Sequence, residues 1–235
     1  MNQEQINALL YEALETEMGG VQVYETAIEC AVNEDLKEEW EEYLEQTKEH
    51  VQTMREVLES VGLDPKTETP GRKVVRHIGE SLVKAMRMAI KEGERGAAEL
   101  VAAECIVHAE TKDHMNWELI GEIVKKNGPG GMEVMRKAHE KVEDEEDEHL
   151  YHTMGWSREL WMKSLGLPAV IPPPEEKQDV KTMMEAARAK ESRSPKTASR
   201  SSQTKSAPSK RRSSSPSSKK SSSRKSSTKK RSSRR

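Results

Sequence analysis

The chain has 235 residues, with 3% aromatic residues and no Phe, which indicates a smaller hydrophobic core than this length allows. The two cysteines, Cys30 and Cys105, have neither metal nor redox spacing and argue against a disulfide framework, although a single pair stays open. No apolar run reaches the length of a membrane span and the first residues lack a signal-peptide pattern, so we expect a cytoplasmic protein.

The charge is divided unevenly along the chain. Residues 192–235 contain 16 of the 39 Lys and Arg and none of the 41 Asp and Glu. This tail therefore carries +16, and residues 1–191 carry −18, which together give the net charge of −2. Such a division indicates a nucleic-acid or other acidic partner for the tail.

Apolar residues at three- and four-residue steps predict a first helix from about Gln3 to Val32. Glu17 lies within its apolar stripe and not beside it. A second helix is predicted from Leu36 to Val61, with His50 on the apolar face and Gly62 as the stop signal. Each of these helices therefore turns one polar side chain towards the core.

A connection rich in Pro, Thr and Gly at residues 62–72 leads into a basic amphipathic helix, Lys73 to Lys91. The segment is too long for a hairpin turn and fits a crossover between two halves of a bundle. Another long helix is predicted from Ala97 to Lys126, with Glu110 in the middle of its apolar stripe. The sequence N-G-P-G-G at residues 127–131 ends it.

The last long helix is predicted from Met132 to about Ser164 and contains the pair Glu146 and His149 within an apolar stripe. Residues three apart on a helix share a face, so this Glu-x-x-His pair points towards the core. Buried charges need a partner, and a metal ion is one such partner. The alternative is an acidic run, residues 143–148, that lies in water with one His at its end.

Four predicted helices thus each place Glu or His in the middle of an apolar seam, and this pattern resembles the ferritin-like di-metal carboxylate family. The resemblance covers roughly residues 3–160. It implies an all-α, ferritin-like four-helix bundle over residues 1–165 with a helical crossover between helices 2 and 3. It also implies that iron or manganese is bound by Glu17, His50, Glu110, Glu146 and His149.

The sequence departs from the family at one position. The residue three before His50 is Thr47, where the family has Glu. Five further residues are candidates for the missing ligand: Glu45, Glu49, Glu104, His108 and His114.

Carboxylates mixed with imidazole suit iron or manganese. The resemblance implies an oxidoreductase of ferroxidase type, which oxidises Fe(II) with dioxygen or peroxide, or which consumes peroxide. One alternative is an enzyme that resembles the manganese catalases. Another is a non-catalytic DNA-compacting protein whose helices only oligomerise.

Residues 166–191 are predicted to form a Pro-rich linker with a short helix from Glu175 to Lys190. Residues 192–235 are Ser, Lys and Arg with almost no apolar content, so we expect a disordered tail that binds DNA without reading sequence. The alternative partner is the acidic bundle of a neighbouring copy. This plan is similar to that of DNA-binding miniferritins, and it predicts a homo-oligomer associated with the nucleoid. The predicted DNA-binding residues are Lys210, Arg211, Arg212, Lys219, Lys220, Arg224, Lys225, Lys229, Lys230, Arg231, Arg234 and Arg235.

Overall fold

The computed structural model describes residues 1–128 and 132–193. The all-helical expectation is confirmed, because these residues form seven α-helices and no strand. The helices are α1 (Gln3–Cys30), α2 (Glu34–Ser60), α3 (Pro70–Glu92), α4 (Arg95–Asn127), α5 (Glu133–Ser164), α6 (Pro174–Lys177) and α7 (Met183–Ser192). The tail residues predicted to bind DNA lie outside the described residues.

Side-chain caps set the starts of the first three helices. The Oδ1 atom of Asn2 accepts the backbone N–H of Glu4, and Asn33 and Thr69 cap α2 and α3 in the same way. Each cap satisfies a donor that the first helical turn leaves free. Gly62 and Gly128 follow α2 and α4 with φ of +78° and +72°, a conformation that Gly adopts without strain.

The long helices pack around a shared interior. Helix α1 contacts α2 and α4, helix α5 contacts the same two, and α3 lies against α1 and α4. Two salt bridges, one buried and one partly exposed, fix α3 to α1, since Glu15 accepts hydrogen bonds from Arg72 (2.8 Å) and Arg76 (2.6 Å). At the opposite end of α1, Glu99 of α4 accepts the backbone N–H of Val32 at 2.7 Å.

Two apolar clusters fill this interior. One contains Tyr24, Trp40 and Trp156, and the other contains Leu14 and Trp117. Each of α1, α2, α4 and α5 carries buried polar side chains between the two clusters. The packing therefore leaves a polar layer between two apolar parts of the core.

The C-terminal segment packs on α5. In place of the single helix predicted from Glu175 to Lys190, the segment forms α6 and α7, separated by a turn in which Asp179 has φ of +51°. The prediction of one continuous helix is wrong here because the chain turns at Asp179 and buries the next residue, Val180, against Leu150 and Tyr151 of α5. Residues 166–193 thus lie against α5 and do not form a free spacer.

Two salt bridges hold this segment in place. Arg158 of α5 donates to Glu175 at 2.6 Å, and Arg193 donates to the buried Glu159 at 2.6 Å. Within residues 1–128 and 132–193, none of the helices is both long and apolar enough to cross a lipid bilayer.

Candidate metal centre

The polar layer brings together the five residues that the sequence singled out. Two groups of buried side chains each place three ligand atoms within 4.8 Å of one another, and each could hold a metal ion. Helices α1, α2, α4 and α5 all contribute, and Glu146 belongs to both groups. The groups are Glu17, His50 and Glu146, and Glu110, Glu146 and His149.

In the first group, the Nδ1 atom of His50 faces two carboxylates. It lies 2.8 Å from Glu146 Oε1 and 3.7 Å from Glu17 Oε2. The other ring nitrogen, Nε2, lies 2.7 Å from the carboxylate of Glu145, which is partly exposed. The indole N–H of Trp117 donates to Glu17 Oε1 at 2.8 Å and fixes that carboxylate. A proton on His50 Nε2 would leave the Nδ1 lone pair free for a metal.

In the second group, too, the Nδ1 atom of the histidine faces two carboxylates and its Nε2 atom faces an acceptor. His149 Nδ1 lies 3.7 Å from Glu110 Oε2 and 3.7 Å from Glu146 Oε1. Its Nε2 atom lies 2.7 Å from the side-chain oxygen of Gln46, an acceptor that favours the proton on Nε2. The ring of Tyr43 packs on His149 with ring centroids 4.2 Å apart.

The two groups leave an unusual number of buried polar atoms without a hydrogen-bond partner. Five such atoms are Glu17 Oε2, His50 Nδ1, Glu110 Oε2, Glu146 Oε2 and His149 Nδ1. The 2.8 Å contact of His50 Nδ1 with Glu146 Oε1 does not have the geometry of a hydrogen bond. Such atoms are rare in folded proteins, because each costs about 1–3 kcal/mol when it stays unpaired. All five belong to the two groups, and hard cations accept this set of carboxylate oxygens and imidazole nitrogens. The donor set therefore fits a metal.

The electrostatics of the layer also fit a cation. Burial, with the nearby charge of Asp113, raises the pKa of Glu17 and of Glu146 well above the ordinary value for Glu. Burial lowers the pKa of His50, but the hydrogen bond to Glu145 and the charge of Glu17 outweigh it and raise that pKa overall. Without a metal the layer thus retains protons that a bound cation would displace.

Asp113 is a buried residue of the layer that the sequence analysis missed. It lies one turn after Glu110 on α4, and its Oδ1 atom has no hydrogen-bond partner. Burial and the charge of Glu110 raise the pKa of Asp113 to about 7. The spacing Glu-x-x-Asp repeats that of Glu146 and His149, and this spacing was the signal that could have identified it.

The other candidates for the missing ligand lie elsewhere. Glu45 and Glu49 are exposed and pair with Lys48 and Lys141, and His108 is exposed. Glu104 accepts a hydrogen bond from Trp161, and His114 pairs with Asp147 at 3.0 Å.

Thr47, three residues before His50 on α2, is buried. Its hydroxyl donates to the backbone oxygen of Tyr43 at 2.8 Å, within its own helix. Its methyl group lies close to Gly20, where an added Cβ would approach it to 3.2 Å. The side chain of Thr47 therefore packs against Gly20 and supplies no carboxylate to the layer.

Comparison of the chain with protein-family models, with curated proteins and with solved structures gives no match.

Proposed function

We propose that the protein is a di-metal oxidoreductase of the ferritin-like type, which oxidises Fe(II) or consumes peroxide. The single observation that carries this proposal is the pair of buried three-residue groups that share Glu146. The proposed architecture is a four-helix bundle of α1, α2, α4 and α5, with α3 as the crossover between the second and third bundle helices. The contacts among these helices support it.

Each residue has a defined task in this proposal. Glu17 and His50 would hold one ion, Glu110 and His149 would hold the other, and Glu146 would bind both. Bound iron or manganese would supply the electron exchange with dioxygen or peroxide. The protein excludes bulk water from the layer, because all five side chains are at most 5% exposed.

Metal uptake requires the loss of protons from the layer. The raised pKa values of Glu17 and Glu146 mean that both carboxyls favour the protonated form when no cation is present. The partly exposed Glu145, hydrogen-bonded to His50, connects the layer with solvent and is a route for one such proton. Affinity for the metal should therefore rise with pH.

We further propose that residues 192–235 bind DNA by electrostatic attraction, which would place the oxidation chemistry beside DNA under oxidative stress. The support is the charge of +16 in a segment without acidic residues. Cationic groups at this density bind phosphates by counterion release. The acidic charge of −18 on residues 1–191 keeps the helical part from binding DNA itself.

The test of the metal chemistry compares Fe(II) oxidation by the wild type and by Glu146→Gln, with dioxygen or with peroxide as the oxidant. Glu143→Gln is the matched control, because Glu143 lies one turn earlier on α5 and its side chain is 52% exposed. We expect the rate to fall at least about 10-fold in Glu146→Gln alone, the size of effect seen when metal-site residues are lost. Oxygen release from peroxide without added iron would instead identify a manganese catalase.

The test of the tail is DNA retention by a chain truncated after Pro195, which keeps the salt bridge of Arg193. We expect truncation to abolish retention and leave Fe(II) oxidation unchanged. Retention by the full-length wild type should fall steeply with salt, as counterion release requires. Retention by the truncated chain would contradict the proposed role of the tail.

A further inference from the structure

The two histidines of the metal centre have different partners behind them. His50 Nε2 faces the carboxylate of Glu145 at 2.7 Å, whereas His149 Nε2 faces the amide oxygen of Gln46 at 2.7 Å. The distances are equal and both partners reach the site from the α2–α5 face, so charge is the main difference between the two contacts.

We propose that this difference makes the two metal positions unequal, with the position at Glu17 and His50 filled first and the position at Glu110 and His149 filled second. The inference rests on the proposed function. An acceptor behind a metal-bound histidine raises the basicity of its ring, and loss of such a partner typically costs 10–100-fold in affinity. A carboxylate polarises the ring more strongly than a neutral amide does, because its hydrogen bond is charge-assisted.

The surrounding charges favour the same position. The carboxylate of Glu145 lies 2.7 Å from His50 Nε2 and adds a negative charge on the Glu17 side of the layer. Next to His149 stand the uncharged aromatic rings of Tyr24 and Tyr43, with centroids 6.0 Å and 4.2 Å from the imidazole. A divalent cation therefore meets more negative charge at His50 than at His149.

The consequence is stepwise loading. Glu146 is common to both positions, so an ion already bound through His50 withdraws charge from the second position and weakens it further. The first ion would stay with the protein, and the second position would exchange readily with Fe(II) or Mn²⁺ from solution.

The test is titration of the metal-free full-length protein with Mn²⁺, followed by electron paramagnetic resonance. At one equivalent, unequal positions give the six-line spectrum of isolated Mn²⁺, and the coupled-pair spectrum appears only with the second equivalent. Glu145→Gln keeps an acceptor for His50 Nε2 but removes its charge, and Gln46→Glu adds the charge at His149. In either variant we expect a larger share of paired Mn²⁺ at one equivalent than in the wild type, because the two affinities converge.

Glu49→Gln is the matched control, since it removes one charge from the same face at an exposed residue that pairs with Lys141. Its spectra should match those of the wild type. A large share of paired Mn²⁺ at one equivalent in the wild type would overturn unequal loading and leave the proposed function intact. Equal spectra for the wild type and both variants would show that Glu145 and Gln46 do not set the order. Failure of the wild type to bind Mn²⁺ in the layer would instead overturn the proposed function.

Discussion

Glu146 should stabilise the protein only when metal is bound. Its side chain is 1% exposed, its Oε1 atom lies 2.8 Å from His50 Nδ1, and its Oε2 atom has no hydrogen-bond partner. In the metal-free protein the charged form of this carboxyl is disfavoured, as its raised pKa indicates. Replacement by Gln keeps the shape and removes the charge, so the metal-free variant should melt at or above the wild-type temperature.

Metal should reverse this order. Two ions at about 100 times their dissociation constants add roughly 5 kcal/mol, since each site contributes about 2.7 kcal/mol. For a chain of this size, 1 kcal/mol shifts the melting temperature by about 2–4 °C, so the wild type should gain roughly 10–20 °C. The Glu146→Gln variant loses the ligand that both positions share, and its gain should fall to a few degrees.

The assay is thermal unfolding followed by circular dichroism, with chelator or with Mn²⁺, which dioxygen does not oxidise at neutral pH. Glu143→Gln serves as the control and should respond to Mn²⁺ as the wild type does. Two results would refute the reasoning. One is a metal-dependent gain in Glu146→Gln as large as that of the wild type, and the other is a metal-free variant several kcal/mol less stable than the wild type.

Three further predictions concern single residues, two in or next to the polar layer and one at the contact between α5 and α6. In the metal-free protein, Asp113 lowers the free energy of unfolding by roughly 4 kcal/mol as the pH rises from about 4 to about 7, because the folded state holds a proton that the unfolded chain releases. Asp113→Asn should remove this part of the slope in urea titrations at several pH values, and an unchanged slope would contradict it. Trp117→Phe deletes the 2.8 Å hydrogen bond to Glu17 and leaves a buried carboxyl oxygen without a donor, so it should cost about 1–3 kcal/mol in urea unfolding and weaken Mn²⁺ binding. No change in either measurement would count against this role of Trp117. Gly155→Ala places a Cβ atom 2.8 Å from Glu175 Oε2, so we expect α6 to shift and limited proteolysis near residues 165–173 to accelerate by comparison with the wild type.

The long helices and five of the polar residues in the layer could be predicted from the sequence. Glu17, His50, Glu110, Glu146 and His149 each interrupt an apolar stripe, and a charged group in such a position is costly unless it has a partner. The stop at Gly62 likewise needs only local sequence, and the predicted ends of the long helices differ from the observed ends by only a few residues.

Asp113 was overlooked, although its spacing from Glu110 matches that of His149 from Glu146. It lies in the polar run Glu110 to His114, which has the appearance of a solvent-facing turn. Helix α4 is covered by α1, α3 and α5, so the face that carries Glu110 and Asp113 is enclosed. His114, the residue after Asp113, was a predicted ligand candidate, but it lies outside the layer because its side chain reaches the surface and pairs with Asp147.

The hydrogen-bond partners of His50 and His149 could not be predicted from the sequence either. Gln46 lies 103 residues from His149 in the sequence, and Glu145 lies 95 residues from His50. Their contacts depend on the register between α2 and α5, which no local pattern determines. The packing of residues 166–193 on α5 was missed for a related reason. A Pro-rich segment is typical of a linker, and the burial of Val180 and Pro174 depends on contacts that the sequence does not show.

The most direct test of the metal centre is a crystal structure of the Mn²⁺-loaded protein, with anomalous scattering used to locate the ions. We predict two peaks inside the polar layer, one between Glu17 and His50 and the other between Glu110 and His149, with Glu146 contacting both. Peaks only at exposed acidic residues, or an empty layer at saturating Mn²⁺, would contradict the account.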